Sequence, residues 1–274
     1  MIIEFIKAIL FGIVEGITEW LPVSSTGHMI LLDEFVKLKV SPEFYEMFQV
    51  VIQLGAILAV LLLFWNKLYP FGKKKTAEEK KNTWQLWFKV VVAVMPSAVL
   101  GLLLDDWMDE HLYNYVVVAI TLIIYGVAFL LMESNKQKST KIDDVHQIDY
   151  RTALFIGAFQ CLSLIPGTSR SGATILGALA LGVARPAGAE FSFFLAIPTM
   201  LGASGLKLVK FLASGVTASG TELGVLAIGT VVSFIVSLLA IKALMGYVRK
   251  RSFSIFGIYR IVLGIAVLAY FLLK

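Results

Sequence analysis

The sequence predicts an all-α integral membrane protein built as an inverted-topology repeat, each half one re-entrant helix hairpin plus three transmembrane helices. Three observations carry that expectation. Hydrophobic residues fill 58% of the 274 positions and charged residues only 16%, whereas soluble domains carry about 25% charged residues; with a mean hydropathy of +0.83, a soluble enzyme is excluded. Six apolar stretches reach the length of about 20 residues that a bilayer requires. Two polar, proline-containing segments also recur at an offset of 144 residues, Pro22 falling on Pro166, Ser25 on Ser169, Leu32 on Leu176 and Glu46 on Glu190.

Along the chain, the apolar runs Ile2 to Val14 and Ala153 to Ile165 hold 13 residues each and are too short to span. Each leads into a polar turn, Pro22-Val-Ser-Ser-Thr-Gly-His28 or Pro166-Gly-Thr-Ser-Arg-Ser-Gly172, and a second short helical stretch follows. Unwound backbone at membrane depth is tolerated only under cover of protein or a wet cavity, so both regions read as hairpins that enter and leave by one face. The spans follow as Phe44 to Trp65, Trp87 to Leu104, Tyr115 to Met132, Glu190 to Leu212, Leu223 to Tyr247 and Ser254 to Leu273. Residues 1–132 form the first repeat, 133–151 a linker and 152–274 the second repeat, within one functional membrane domain. Three crossings per half invert the second copy relative to the first. Glu4, Glu15 and Glu19 interrupt or follow the first apolar run and no small-residue cleavage site appears, so the N-terminus reads as mature protein.

The distribution of charge fixes orientation, because cytoplasmic loops gather Lys and Arg. Lys67, Lys73, Lys74, Lys75, Lys80 and Lys81 mark one such loop, Lys136, Lys138, Lys141 and Arg151 a second, and Arg249, Lys250 and Arg251 a third; 105–114 and 213–222 contain neither residue type. Both termini then lie outside, the first hairpin opens to the outer face, the second to the cytoplasm, and their tips meet near the midplane. The net charge of +5 sits in loops, not on a dense basic face, which excludes nucleic acid as a partner. The Lys73 to Lys81 segment reads as a loop near anionic lipid. The single cysteine, Cys161, leaves no intramolecular disulfide or Cys-rich metal site and reads as packing.

Chemistry concentrates at the two turns. Glu15 and Glu19 share a helix face, and carboxylates at that depth are expensive and usually functional. Ser24, Ser25, Thr26 and His28 follow at once. Pro22 restricts the residue before it, and Ser24 or Ser25 then caps a short helix; Thr168 or Ser169 does the same at the second turn, with Arg170 at the helix start. Two facing helix N-termini joined by a guanidinium and hydroxyls make an anion site, and the donors of Ser169, Arg170, Ser171 and Thr174 suit a phosphate. A nearby base tilts that site toward hydrolysis: Ser25 becomes a nucleophile if His28 or Glu19 takes its proton, or one of those groups activates water directly. Glu15 and Glu19 could instead hold a divalent cation that offsets phosphate charge.

These motifs, together with Glu15-Gly-Ile-Thr-Glu19 and Pro166-Gly-Thr-Ser-Arg-Ser-Gly-Ala-Thr174, resemble the two signature regions of the undecaprenyl-diphosphate phosphatases of the bacitracin-resistance type, over essentially the whole chain. The resemblance implies removal of the terminal phosphate of undecaprenyl diphosphate at the outer face of the bacterial plasma membrane, regenerating the carrier lipid of peptidoglycan synthesis, with dependence on a divalent cation, Mg2+ or Ca2+. It implies a site in which Glu19, Ser25, His28 and Arg170 are catalytic, Ser24, Thr26, Ser169, Ser171 and Thr174 bind substrate, and Glu15 and Glu19 hold the metal. The partners expected are a polyprenyl diphosphate lipid and the bilayer, with the oligomeric state open. The alternative is a lipid-phosphate flippase or transporter using the same anion site, since broken helices in an inverted repeat also build alternating access.

Other marked residues read as supporting. Asp105, Asp106, Asp109, Glu110 and His111 form a solvated outer turn. Glu46 and Glu190, at equivalent repeat positions, stand beside the site or at the interface. Arg260 and Lys242 snorkel or pair within the bundle.

Overall fold

The computed structural model describes residues 1–134 and 141–273, the side chains of Asp105 and Asp109 excepted. Lys136 and Lys138, two of the linker cations above, lie outside the described residues. Helices α1 (Ile2–Thr18) and α2 (Ser25–Phe35) flank the first polar turn. They are followed by α3 (Pro42–Leu63), the short α4 (Trp65–Leu68), α5 (Ala77–Leu112) and α6 (Tyr115–Ser134). A 3-10 turn at Val145–Gln147 leads to α7 (Tyr150–Cys161), and a second at Leu162–Leu164 to the other polar turn. The chain then runs through α8 (Arg170–Ala180), α9 (Arg185–Ala213), α10 (Gly220–Val248) and α11 (Ser254–Leu273). The β-structure among the described residues is one isolated parallel bridge, Ile142 to Val183.

Six of these helices are long and apolar enough to cross a membrane: α3, α5 as far as Leu104, α6, α9, α10 and α11. Their outward faces fit hydrocarbon. Leu102 and Leu103 on α5 are 71% and 74% exposed, and Leu131 on α6, Leu239 on α10 and Val262 on α11 all exceed 60%. Such a belt exceeds what a water-facing surface carries.

The helices outrun their hydropathy in one instructive place. The sequence reading begins the second span at Trp87, but α5 starts at Ala77 because Thr76 and Glu79 form a reciprocal capping box, Glu79 N–H donating to Thr76 Oγ1 at 3.2 Å and Thr76 N–H to Glu79 Oε2 at 2.7 Å. Lys80 and Lys81 therefore ride on helix, not in a loop. At the other end α5 continues to Leu112, since no Gly or Pro follows Gly101 to stop it. Asp106, Glu110 and His111 consequently lie on its last turns and not in an irregular outer turn, and Lys210 of α9 reaches Asp106 at 2.7 Å.

Packing pairs α6 with α11, α1 with α10, α5 with α7, and α3 with both α9 and α10. The α6–α11 crossing is set by two glycines: a Cβ on Gly126 would sit 2.7 Å from Gly257 O, and one on Gly257 2.8 Å from Gly126 O. Small residues that let backbones meet are the usual means of joining helices in lipid. A wholly buried set of aromatic side chains, Trp20, Phe129, Phe191, Phe193, Phe194 and Phe253, belongs to the larger core cluster.

Candidate active site

At the first turn, α1 carries Glu15 and Glu19 one helical turn apart, Glu19 N–H still donating to Glu15 O at 3.0 Å. Both carboxylates are buried. The chain then reverses through Trp20 to Val23 and reaches Ser24, whose backbone takes the left-handed φ of 74°. A non-glycine residue there is costly and persists only where its surroundings over-determine it. Here the Ser24 hydroxyl accepts from Gly27 N–H at 3.2 Å and so caps α2.

The second turn repeats that device. Ser169 has φ 72°, and its hydroxyl accepts from Gly172 N–H at 3.1 Å at the start of α8. The paired caps are thus Ser24 and Ser169, not Ser25 and Ser169: the offset rises from 144 at the prolines to 145 at the caps, because the second turn holds one more residue between proline and cap. Gly167 sits in that stretch at φ 89°, and a Cβ on it would lie 2.1 Å from Thr121 Oγ1. Only glycine supplies both the conformation and the space.

One carboxylate joins the turns. Arg170 donates through Nε (3.2 Å) and Nη2 (3.0 Å) to Glu19 Oε1, while the Ser25 hydroxyl donates to Glu19 Oε2 at 2.7 Å. With side-chain exposures of 9% and 5%, Arg170 and Glu19 are a buried pair, for which loss of one partner costs about 3–5 kcal/mol. Arg170 is further held by Nη1 to Ser192 O at 2.7 Å and by its guanidinium 5.8 Å from the Trp20 ring centroid. Thr174 Oγ1 meets Ser192 Oγ at 2.6 Å and donates to Arg170 O at 2.9 Å, so it braces Arg170 from behind. The Ser171 hydroxyl lies 3.1 Å from Glu19 O and 3.2 Å from Leu21 O, tying α8 to the first turn, and 3.2 Å from Ser169 Oγ. Among the described contacts, Thr26 joins none of this network.

His28 faces elsewhere. Its Nδ1 is 2.7 Å from Ser24 O and its Nε2 2.6 Å from Tyr259 Oη, so the group within reach of the Ser25 proton is Glu19. Glu15 Oε1 is buried without a hydrogen-bond partner among the described residues. An orphaned carboxylate oxygen beside a second carboxylate and a hydroxyl is an all-oxygen donor set, which fits a hard divalent cation whose remaining ligands come from phosphate.

Arg260 is the residue whose importance sequence reasoning missed. Of snorkelling and pairing within the bundle it does the second, with carbonyls as partners: it is wholly buried and donates to Pro22 O (3.1 Å), Gly167 O (2.8 Å) and Thr168 O (2.8 Å), holding the backbones of both turns at once, above the Tyr125 ring at 5.6 Å. Thr121 adds a bond to Pro166 O at 2.7 Å. A charged residue in an apolar span was the available signal; its carbonyl partners, far apart in sequence, were not visible. Lys242 is exposed. Glu190 binds Lys67 at 2.6 Å while Glu46 is exposed, so their matching repeat positions do not give matching environments. Cys161 is a half-buried free thiol whose Sγ lies 3.6 Å from Gly157 O, a packing role.

Residues 8–266 match the family described as Bacitracin resistance protein BacA. The chain is 57% identical over 272 residues to an undecaprenyl-diphosphatase of Lactiplantibacillus plantarum, covering 99% of each. It is 58% identical over 271 residues to an undecaprenyl-diphosphatase of Acetivibrio thermocellus, covering 98% of each, and 56% identical over 267 residues to one of Enterococcus faecalis, covering 97% of each.

Proposed function

The chain belongs to the bacitracin resistance protein BacA family, and on that premise we propose that it is a multi-pass membrane phosphatase that hydrolyses undecaprenyl diphosphate to undecaprenyl phosphate and inorganic phosphate. This recycles a carrier lipid for cell-wall synthesis and underlies resistance to bacitracin. The observation that carries the reading is Glu19, which accepts from the Ser25 hydroxyl on one oxygen and from Arg170 on the other. Nucleophile, base and orienting group stand in one line, the arrangement that activates a serine.

In this reading the diphosphate lies between the starts of α2 and α8, where unpaired N–H groups and the helix dipoles favour an anion. A guanidinium has more N–H donors than the Glu19 and Ser192 contacts of Arg170 use, so Arg170 clamps phosphoryl oxygens without releasing Glu19. Ser25 Oγ attacks the terminal phosphorus, its proton passes to Glu19 Oε2, and the bond to the bridging oxygen breaks, releasing prenyl phosphate. Glu19 hands that proton to the departing prenyl phosphate, then takes one from the water that cleaves the phosphoserine and returns it to Ser25 Oγ, while His28, bound to Ser24 O and Tyr259 Oη, holds the start of α2 in place. Ser24, Thr26, Ser169, Ser171 and Thr174 line or brace the anion site. Glu15 and Glu19 would hold Mg2+ or Ca2+, which would neutralise phosphate charge and polarise its oxygens.

The two-fold organisation belongs to the same reading. Exchanging the two halves converts the α1–α10 pairing into α7–α5 and the α3–α10 pairing into α9–α5, while α3–α9 and α6–α11 map onto themselves; all of these pairings occur. That pattern and the matched caps support an inverted repeat of hairpins plus three spans, with the positive loops on the cytoplasmic side of the plasma membrane and the catalytic turn open to the outer face.

Phosphate release from a polyprenyl diphosphate in detergent tests the reading. A pure flippase gives no signal where no second compartment exists. Ser25→Ala should abolish release and the trapped phosphoserine together; turnover at the parental rate in Ser25→Ala would remove the covalent route.

A further inference from the structure

Two hollows lie side by side where the span α3 ends and the span α5 begins, and Trp65 and Tyr69 line both of them. The first, about 330 Å³, is otherwise apolar: Leu61 of α3, Leu68 of α4, Phe71 of the connecting loop, and Trp84 and Trp87 of α5 face it. The second, about 270 Å³, is lined by Asn66 and by three consecutive lysines, Lys73, Lys74 and Lys75. Neither shares a lining residue with the catalytic turns.

The wall between the hollows is built, not incidental. Trp65 and Tyr69 stack at a centroid distance of 4.6 Å and an angle of 14°, and edge contacts continue from Tyr69 to Phe71 (5.8 Å) and from Phe71 to Trp84 (5.7 Å), so the aromatic chain crosses from α4 to α5. Trp87 Nε1 donates to Leu68 O at 2.8 Å, and Lys75 Nζ to Thr83 Oγ1 at 2.9 Å, which ties the lysine loop to α5. Trp65, Phe71 and Trp84 are nevertheless exposed, as are Lys73 and Lys74. No ion pair among the described residues includes Lys73 or Lys74. Glu79 is turned to the Thr76 cap, and Glu190 is taken by Lys67.

An apolar hollow at the end of a span faces lipid chains, and the uncompensated cations beside it face head groups. A molecule that fills both must carry an apolar tail and a negative head. We propose that the two hollows bind one anionic phospholipid of the leaflet they face, its phosphate on Lys73 and Lys74 and one acyl chain against Leu61, Phe71 and Trp84. The flat Trp65–Tyr69 pair lies between chain and head group, the place amphipathic aromatic rings take in a bilayer.

The test uses the purified full chain in detergent with equal amounts of phosphatidylglycerol and phosphatidylcholine of the same acyl chains, and native mass spectrometry counts the lipid retained. The parent should retain phosphatidylglycerol over phosphatidylcholine by about 10-fold or more, the effect of two lysines near an anionic group. Lys73→Gln/Lys74→Gln should remove that preference. Lys80→Gln/Lys81→Gln, an equal loss of charge on α5 outside both hollows, should keep it. Phe71→Ser, in the loop, should lower retention of both lipids about fivefold or more through lost apolar contact. All variants should release phosphate from a polyprenyl diphosphate within about twofold of the parental rate, as exposed substitutions away from the catalytic turns do in a folded protein. Equal losses from the two lysine pairs would mean a diffuse positive surface, and unchanged retention in Phe71→Ser a head group held by charge alone; either overturns the proposal. Displacement of phosphatidylglycerol by a smaller amount of undecaprenyl phosphate would overturn it too, by making the hollows a site for the reaction product.

Discussion

The two polar turns share a backbone and differ in everything attached to it. Each ends in a left-handed serine whose hydroxyl caps an eleven-residue helix three residues on. After that cap, however, the first turn has Ser25 and the second Arg170, and only the helix before the first carries carboxylates; the helix before the second has Gln160 on its last turn, which donates to Ser97 and Thr199 at 2.6 and 3.1 Å. Burial divides them too. Ser171 to Ala178 of α8 are buried without interruption, whereas in α2 only Gly27 and Met29 are. The difference teaches that one backbone device can place two helix starts while the attached side chains set them apart: a buried arm that carries the positive charge of Arg170, and a less enclosed arm that carries Glu15, Glu19 and Ser25.

Substitutions can break this division or sharpen it. The largest effect is expected for Glu19→Gln, which removes the acceptor of the Ser25 proton and leaves Arg170 without its anion; kcat should fall about 1,000-fold, read as phosphate release. Arg170→Ala should cost about 100-fold or more in kcat, and Arg170→Lys should recover little of it, because a point charge replaces a fork that holds Glu19 and Ser192 together. A mild Arg170→Ala phenotype would mean that the second arm is only scaffold.

Arg260→Met tests whether the arms must be held to each other. It strips partners from three carbonyls and should lower stability by about 3 kcal/mol or more, visible as a drop in thermal midpoint, while Lys242→Met on the exposed face of α10 should stay within about 0.5 kcal/mol. The smallest effects belong to the caps. Ser24→Ala and Ser169→Ala should each cost about 1 kcal/mol, from the lost capping bond, whereas the two Ser→Gly changes, which lose the same bond but relieve a Cβ held at positive φ, should cost only a few tenths. Unequal values at the two caps would show that the shared device does different work on each side.

How much of this the sequence disclosed follows from the range of the forces involved. The six spans were legible because each is its own apolar run, and Glu19, Ser25 and Arg170 stood out as polar groups where polar groups are costly. Helix ends were read less well where capping and not hydropathy decides them, as at Thr76. The recurrence of the two motifs at 144 residues is one residue off at the caps, Ser24 and Ser169, since the second turn holds Gly167 at positive φ and so one more residue without a change in hydropathy. His28 was offered beside Glu19 as an acceptor for the Ser25 proton, yet its side chain answers to Ser24 O and to Tyr259, more than 200 positions away in the chain. Contacts to main-chain carbonyls, such as those of Arg260, leave no mark on the identity of the partner residue at all.

The carbonyl clamp of Arg260 also sets an order of events during biosynthesis. α11 follows every other described helix, so the ribosome has already delivered Glu19, Ser25 and Arg170 before the guanidinium that fastens their two loops together is threaded into the bilayer. Until α11 docks, the two loops lack the tie that Arg260 makes between them, so in a nascent chain they are made first and fastened afterwards.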